Sequence, residues 1–95
     1  MFVIFLRLTA ERGRAPAFME AHREWIARGR ADGIFLLVGS LPESTGGAIL
    51  AHGESRAEIE ARVAQDPFVA EGIADAEIHE FTPALVDERL QFLAG

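Results

Sequence analysis

Phe2-Val3-Ile4-Phe5-Leu6-Arg7-Leu8 reads as a strand that is apolar on both alternating faces until Arg7 interrupts one of them. A strand with one solvated face alternates apolar and polar residues, so this run belongs in the middle of a sheet with cover on each side. The following segments supply that cover. After a polar turn at Gly13, Pro16 stands where the first turn of a helix accepts it. Phe18, His22, Trp25, Ile26 and Gly29 then recur at helical spacing, with Glu20, Arg23, Glu24 and Arg28 forming the other side. Gly33 is the helix stop, and Phe35 to Val38 is a second strand ending at Gly39. Leu41 to Gly47 reads as a turn and Ala48 to His52 as the returning strand of a hairpin.

Ser55-Arg56-Ala57-Glu58 has the form of a capping box opening a second helix through Ile59 and Val63. Pro67 interrupts that helix and Gly72 closes a short extra turn. Ala76 to Phe81 reads as a last strand, where Glu77 and Glu80 suit an edge. Pro83 ends it, and Ala84 to Leu93 carries a final helical pattern through Leu85, Val86, Leu90 and Leu93. The order is βαββαβ plus a terminal helix, which predicts an α+β, ferredoxin-like domain with an antiparallel sheet. The 95 residues suffice for one domain spanning 1–95, with 83–95 as a C-terminal helical extension.

Composition narrows the chemistry. With 15 acidic residues against 9 basic ones, all Arg, the net charge is −6, which argues against a phosphate-backbone binder. No apolar run approaches a membrane span, and the first residues lack the form of a secretion signal. The absence of Cys excludes disulfides and thiolate catalysis, and such a chain is expected in a cytoplasm. Lys and Tyr are absent too, so Schiff-base chemistry and phenolic acids are excluded. His, Ser, Thr, Arg and the carboxylates remain, or a cofactor.

Among these, His22 shares a helical face with Phe18 and Trp25 and so faces the sheet. It is either a buried His satisfied by one hydrogen bond or a general acid–base. Asp66, before Pro67-Phe68, has the form of an N-cap, which leaves an oxygen able to orient an imidazole. Arg7 either snorkels to the end of the sheet or holds an anionic substrate group. Ser40 is either a turn residue or a hydroxyl donor. Gly46-Gly47 shapes the hairpin rather than cradling phosphate. His52 and His79 fall on strands without ligand spacing, so no metal site is expected.

His22 with Trp25-Ile26, Gly33 with Leu36-Leu37-Val38-Gly39, Gly46-Gly47, and Asp66-Pro67-Phe68 with Gly72 together resemble the YCII-related (YciI-like) family. The likeness covers Phe2 to Phe81, and Asp66-Pro67-Phe68 at its distance from His22 is its most specific part. The resemblance implies a ferredoxin-like domain that pairs into a dimeric α/β barrel, with His22 and Asp66 as the active-site pair. The family often carries Gly-Pro after the second strand, where this chain has Gly39-Ser40, a departure at the pocket rim. A characterised relative removes chloride from a hydroxylated aromatic ring, so acid–base chemistry is possible on this scaffold.

The expectation is a cofactor-free acid–base enzyme of elimination, dehydrochlorination or isomerisation type, acting on a small cyclic or aromatic molecule. His22 and Asp66 are its catalytic pair, and Arg7, Ser40, Trp25 and Phe68 are its substrate contacts. The alternatives are a non-catalytic binding or sensing dimer and a cofactor-independent oxygenase of the dimeric barrel type. A homodimer follows from the sheet, because Phe2 to Leu6 and Ala48 to Ala51 are apolar on both faces while two helices cover one. A second copy over the other face encloses a cavity, into which Arg7 points beside Val3 and Phe5. No nucleic acid and no membrane is expected as a partner.

Overall fold

Strand β1 (Phe2–Leu8) takes the central place that its two apolar faces require. β3 (Gly46–Ala51) pairs with it on one side, β4 (Ala74–Glu80) on the other, and β2 (Phe35–Ser40) lies beyond β3. Every pairing is antiparallel and the order is β2-β3-β1-β4, the split βαβ arrangement. This computed structural model describes residues 1–94. A 3-10 turn over Ala10–Arg14 leads into α1 (Ala15–Ala31), while α2 (Arg56–Ala64) and the single turn α3 (Pro67–Ala70) follow the hairpin.

Strand alternation divides the sheet. Phe2, Ile4 and Leu6 of β1 join Phe35, Ile49, Ala51 and Ala74 in a core closed by Trp25, Ile59, Val63 and Ile73. Val3 and Phe5 are half-buried on the other face, and Leu37 is 65% exposed there. Register puts Leu50 of β3 opposite both Val3 and Leu37, so that face carries a continuous apolar strip.

Two polar devices set the helices. Ser55 Oγ accepts from the Glu58 N–H at 3.2 Å while Glu58 Oε1 accepts from the Ser55 N–H at 2.8 Å. The Ser55 backbone N–H is the main reason the Glu58 carboxyl is held below its usual range. Arg62 donates to both oxygens of Glu54 at 2.8 and 3.1 Å and to Asp32 at 3.1 Å, tying α2 to the end of α1. Its guanidinium is pushed above its usual value, first by the bond to Glu54. The Arg62 carbonyl accepts from Trp25 Nε1 at 2.9 Å, which satisfies the indole of a fully buried Trp.

The hairpin strand starts at Gly46, two residues before the apolar run, because β1 approaches there too closely for a side chain. A Cβ at Gly46 would overlap the Leu6 carbonyl, and its φ of 149° suits glycine alone. β4 likewise begins at Ala74 rather than Ala76, paired with Leu8.

The C-terminal expectation needs correction. A helix over Ala84–Leu93 does not form, and a 3-10 helix over Glu88–Leu93 with a break at Leu90 (φ −111°, ψ 20°) stands in its place. A short helix needs an apolar face buried against something. Leu85 is 97% exposed, and the visible anchor is the Phe92 ring meeting His52 edge-on at 5.8 Å. Asp87 also bonds the Arg89 N–H and guanidinium, a local arrangement that competes with helix. No described helix is long and apolar enough to cross a membrane.

Phe35 lies against Gly29, where a Cβ would overlap its ring. Ala is preferred over Gly in a helix by about 1 kcal/mol, yet overpacking a closed core costs about 1–3 kcal/mol. Gly29→Ala is therefore expected to destabilise the fold by up to roughly 2 kcal/mol. Urea unfolding with an unchanged slope and a lowered midpoint checks this, and a raised midpoint contradicts it.

Candidate active site

Asp66 leaves α2 in extended conformation (φ −61°, ψ 123°) because Pro67 prevents the helix from continuing. Its Oδ1 accepts from the Phe68 N–H at 3.1 Å, capping α3, and its side chain is completely buried. The helical periodicity of α1 turns His22 toward the same point. His22 Nδ1 lies 2.7 Å from Asp66 Oδ1, across 44 positions of sequence. Because Oδ1 already serves as an acceptor for Phe68, the imidazole nitrogen facing it is a donor. That assigns the hydrogen to Nδ1 and leaves the lone pair on Nε2, which has no hydrogen-bond partner among the described residues.

The ring is held as well as bonded. Phe68 stacks on His22 with centroids 4.0 Å apart and planes within 3°, and Trp25 lies 6.0 Å away at 24°. The imidazole therefore has little freedom to rotate away from the carboxylate. Asp66 Oδ2 is buried without a protein partner, an arrangement that costs about 1–3 kcal/mol. A stability-driven fold would avoid it.

The His22 side chain is 14% exposed, and it reaches a cavity of about 430 Å³ between α1 and the helix-covered side of the sheet. That volume suits a small ring compound. Leu6, Leu8 and Ile49 line its sheet side and Met19, Ile26 and Phe68 its helix side. Ser40, Leu41, Ser44 and the paired Gly46-Gly47 line it at the hairpin end, and Arg23 stands beside His22.

The structure brings together His22, Asp66 and Phe68, with Ser40 across the cavity. It does not bring Arg7. Leu6 and Leu8 face α1, so the intervening Arg7 faces the other way, its Nε donating to Glu77 Oε1 at 2.7 Å. This bond is the main cause holding the Glu77 carboxyl below its usual range. Arg7 and His22 thus serve opposite faces rather than one cavity. Trp25 lies behind His22, buried and bonded to Arg62, and does not line the cavity. His52 Nε2 contacts the Gly33 carbonyl at 3.0 Å, and His79 sits at the β4 edge 3.4 Å from Glu77. Among the described residues no three potential ligands gather as a metal site.

Arg23, Met19 and Ser44 escape a periodic reading of the sequence. Periodicity puts Arg23 on the polar side of α1, yet it follows His22 by one position, about 100° around the helix, and lines the cavity. Ser44 lies in the hairpin, whose path periodicity does not describe.

An α+β domain of split βαβ topology, with an oriented imidazole at the mouth of a ring-sized cavity, is the class that fold and site define. The chain belongs to the YCII-related domain family, whose model matches residues 1–82. No curated protein sequence matches it. Among solved structures it is similar to 5-chloro-2-hydroxyhydroquinone dehydrochlorinase (TftG) of Burkholderia phenoliruptrix AC1100 in complex with 2,5-dihydroxybenzoquinone. The TM-score is 0.72 at 18% identity, covering 84% of this chain and 91% of that one, a likeness of fold.

Asp66→Ala removes a cap and the acceptor for His22 together, and is expected to cost about 2–4 kcal/mol. Asp66→Asn keeps an oxygen for both donors and is expected to cost less than about 1 kcal/mol. Chemical denaturation of the two variants checks the order. Nitrogen-15 shifts of the imidazole in the wild type are expected to report hydrogen on Nδ1 of His22, and an Nε2-protonated ring would contradict the geometry.

Proposed function

We propose that the chain is a cofactor-free acid–base enzyme acting on a small cyclic or aromatic molecule by elimination, dehydrochlorination or isomerisation. His22 is its catalytic base and acid, and Asp66 is the positioning residue. The observation that carries this reading is the 2.7 Å bond between Nδ1 and a wholly buried carboxylate, which leaves Nε2 for the cavity. In an elimination, Nε2 takes the substrate proton, the released electron pair enters the ring system, and chloride leaves with its bonding pair. In an isomerisation, the same proton returns to another ring atom. Asp66 stabilises the imidazolium formed in either case, and the Phe68 stack keeps Nε2 directed at the reacting atom. The fold shared with a dehydrochlorinase supports the chloride-releasing branch.

A second copy of the chain covers the open sheet face in this reading. Support comes from the strip Val3, Phe5, Leu37 and Leu50, which α1 and α2 leave bare, and from a second hollow of about 330 Å³ along it. Leu37→Glu is expected to convert a dimer to a monomer in sedimentation at micromolar concentration. A wild-type monomer under the same conditions would remove the dimer.

Turnover is tested on a panel of chlorinated and unchlorinated hydroquinones and lactones, with chloride release and spectral change as readouts. His22→Gln is expected to abolish turnover and Asp66→Asn to lower kcat by about 10²–10⁴-fold while the fold survives. Binding of ring compounds without turnover of any would make the chain a binding module instead.

A further inference from the structure

We infer that the cavity takes a planar ring bearing an anionic oxygen, such as a phenolate, an enolate or a hydroxyquinone anion, and that Arg23 selects it. The inference deepens the reading above and rests on it for the location of the site.

Arg23 lines the cavity next to His22, and among the described residues its guanidinium makes no ion pair and no hydrogen bond. Arg7, Arg14, Arg56, Arg62 and Arg89 are each paired with a carboxylate, whereas among the described residues Arg12, Arg23, Arg28 and Arg30 are not, and of those four only Arg23 lines the cavity. No carboxylate is among the lining residues, so Arg23 is their one permanent charge. Its five fixed donors match an oxyanion conjugated with a planar ring.

The remaining walls fit the same ligand. Met19, Ile26, Leu41 and Phe68 offer apolar surface to a ring, and Ser40 and Ser44 bring hydroxyls to the rim. Ser44 is held there at a cost, since Glu43 and Ser44 have φ of 60° and 56°, the left-handed region that non-glycine residues avoid. The chemistry is consistent too. When Nε2 removes a proton from a hydroxylated ring, negative charge develops on a ring oxygen, and a cation already placed nearby stabilises it without reorganisation.

The test compares 2,5-dihydroxybenzoquinone, an acidic ring that is anionic at neutral pH, with neutral hydroquinone by titration calorimetry at low salt. The wild type is expected to prefer the anion by about tenfold or more. Arg23→Gln is expected to remove that preference while changing hydroquinone affinity less than about twofold. Arg23 is an exposed residue outside the core, so this variant keeps the core intact. No preference in the wild type, or a preference that survives Arg23→Gln, would overturn the inference. An Arg23-dependent preference in a protein that turns over none of the panel supports this inference and removes the acid–base reading alone.

Discussion

One carboxylate oxygen, Oδ1 of Asp66, holds two parts of the chain in a single geometry. It starts α3 through the Phe68 N–H and fixes the imidazole of α1 from 44 positions away. Taking a carboxylate wholly out of water costs several kcal/mol, and each donor it acquires recovers part of that. The two donors converge on the same oxygen, so capping and imidazole orientation are one constraint. Phe68 is coupled to it twice, through its backbone N–H and through its ring stacked on His22. Moving α3 would therefore disturb the cap, the stack and the imidazole together.

The parity of β1 distributes the remaining tasks. Even-numbered residues build the helix-covered core and the wall of the cavity, whereas Val3, Phe5 and Arg7 build the opposite face. A shift of register by one residue would exchange these sets, placing Arg7 in the core and Leu6 in water. That penalty specifies the register strongly. It also explains why Arg7 and His22 cannot share a substrate group within one chain, although both are distinctive in the sequence.

Much of this was legible before any coordinates. The unbroken apolar run at Phe2 to Leu6 gives the central strand, because only double cover tolerates it. The capping box at Ser55 and the Asp66-Pro67 break mark helix ends by local chemistry that tertiary packing does not override. His22 and Asp66 each had a local placement that left one function free, and the resemblance to the YCII-related family is what implied their pairing. The pocket was less legible. Its hairpin end depends on backbone approaching backbone at Gly46, and its cation, Arg23, falls on the side of α1 that periodicity assigns to solvent. The tail misled for a related reason: Leu85, Leu90 and Leu93 have helical spacing, but spacing stabilises a helix only when a surface receives its apolar face.

Two departures from what stability favours in backbone and buried polar groups lie beside the same cavity. Asp66 Oδ2 is buried without a protein partner, and Glu43 and Ser44 hold left-handed backbone without glycine. Elsewhere the same chain follows its preferences closely, with a reciprocal capping box at α2 and a satisfied indole at Trp25. Independent defects left by drift would have no reason to converge. Ser44 lines the cavity, and Asp66 stands directly behind the imidazole that reaches it. Local disagreement between a sequence and its own fold marks the places where something other than folding constrains the residue. Their convergence supports the proposed site at the His22 cavity on grounds independent of the fold's likeness to any known enzyme.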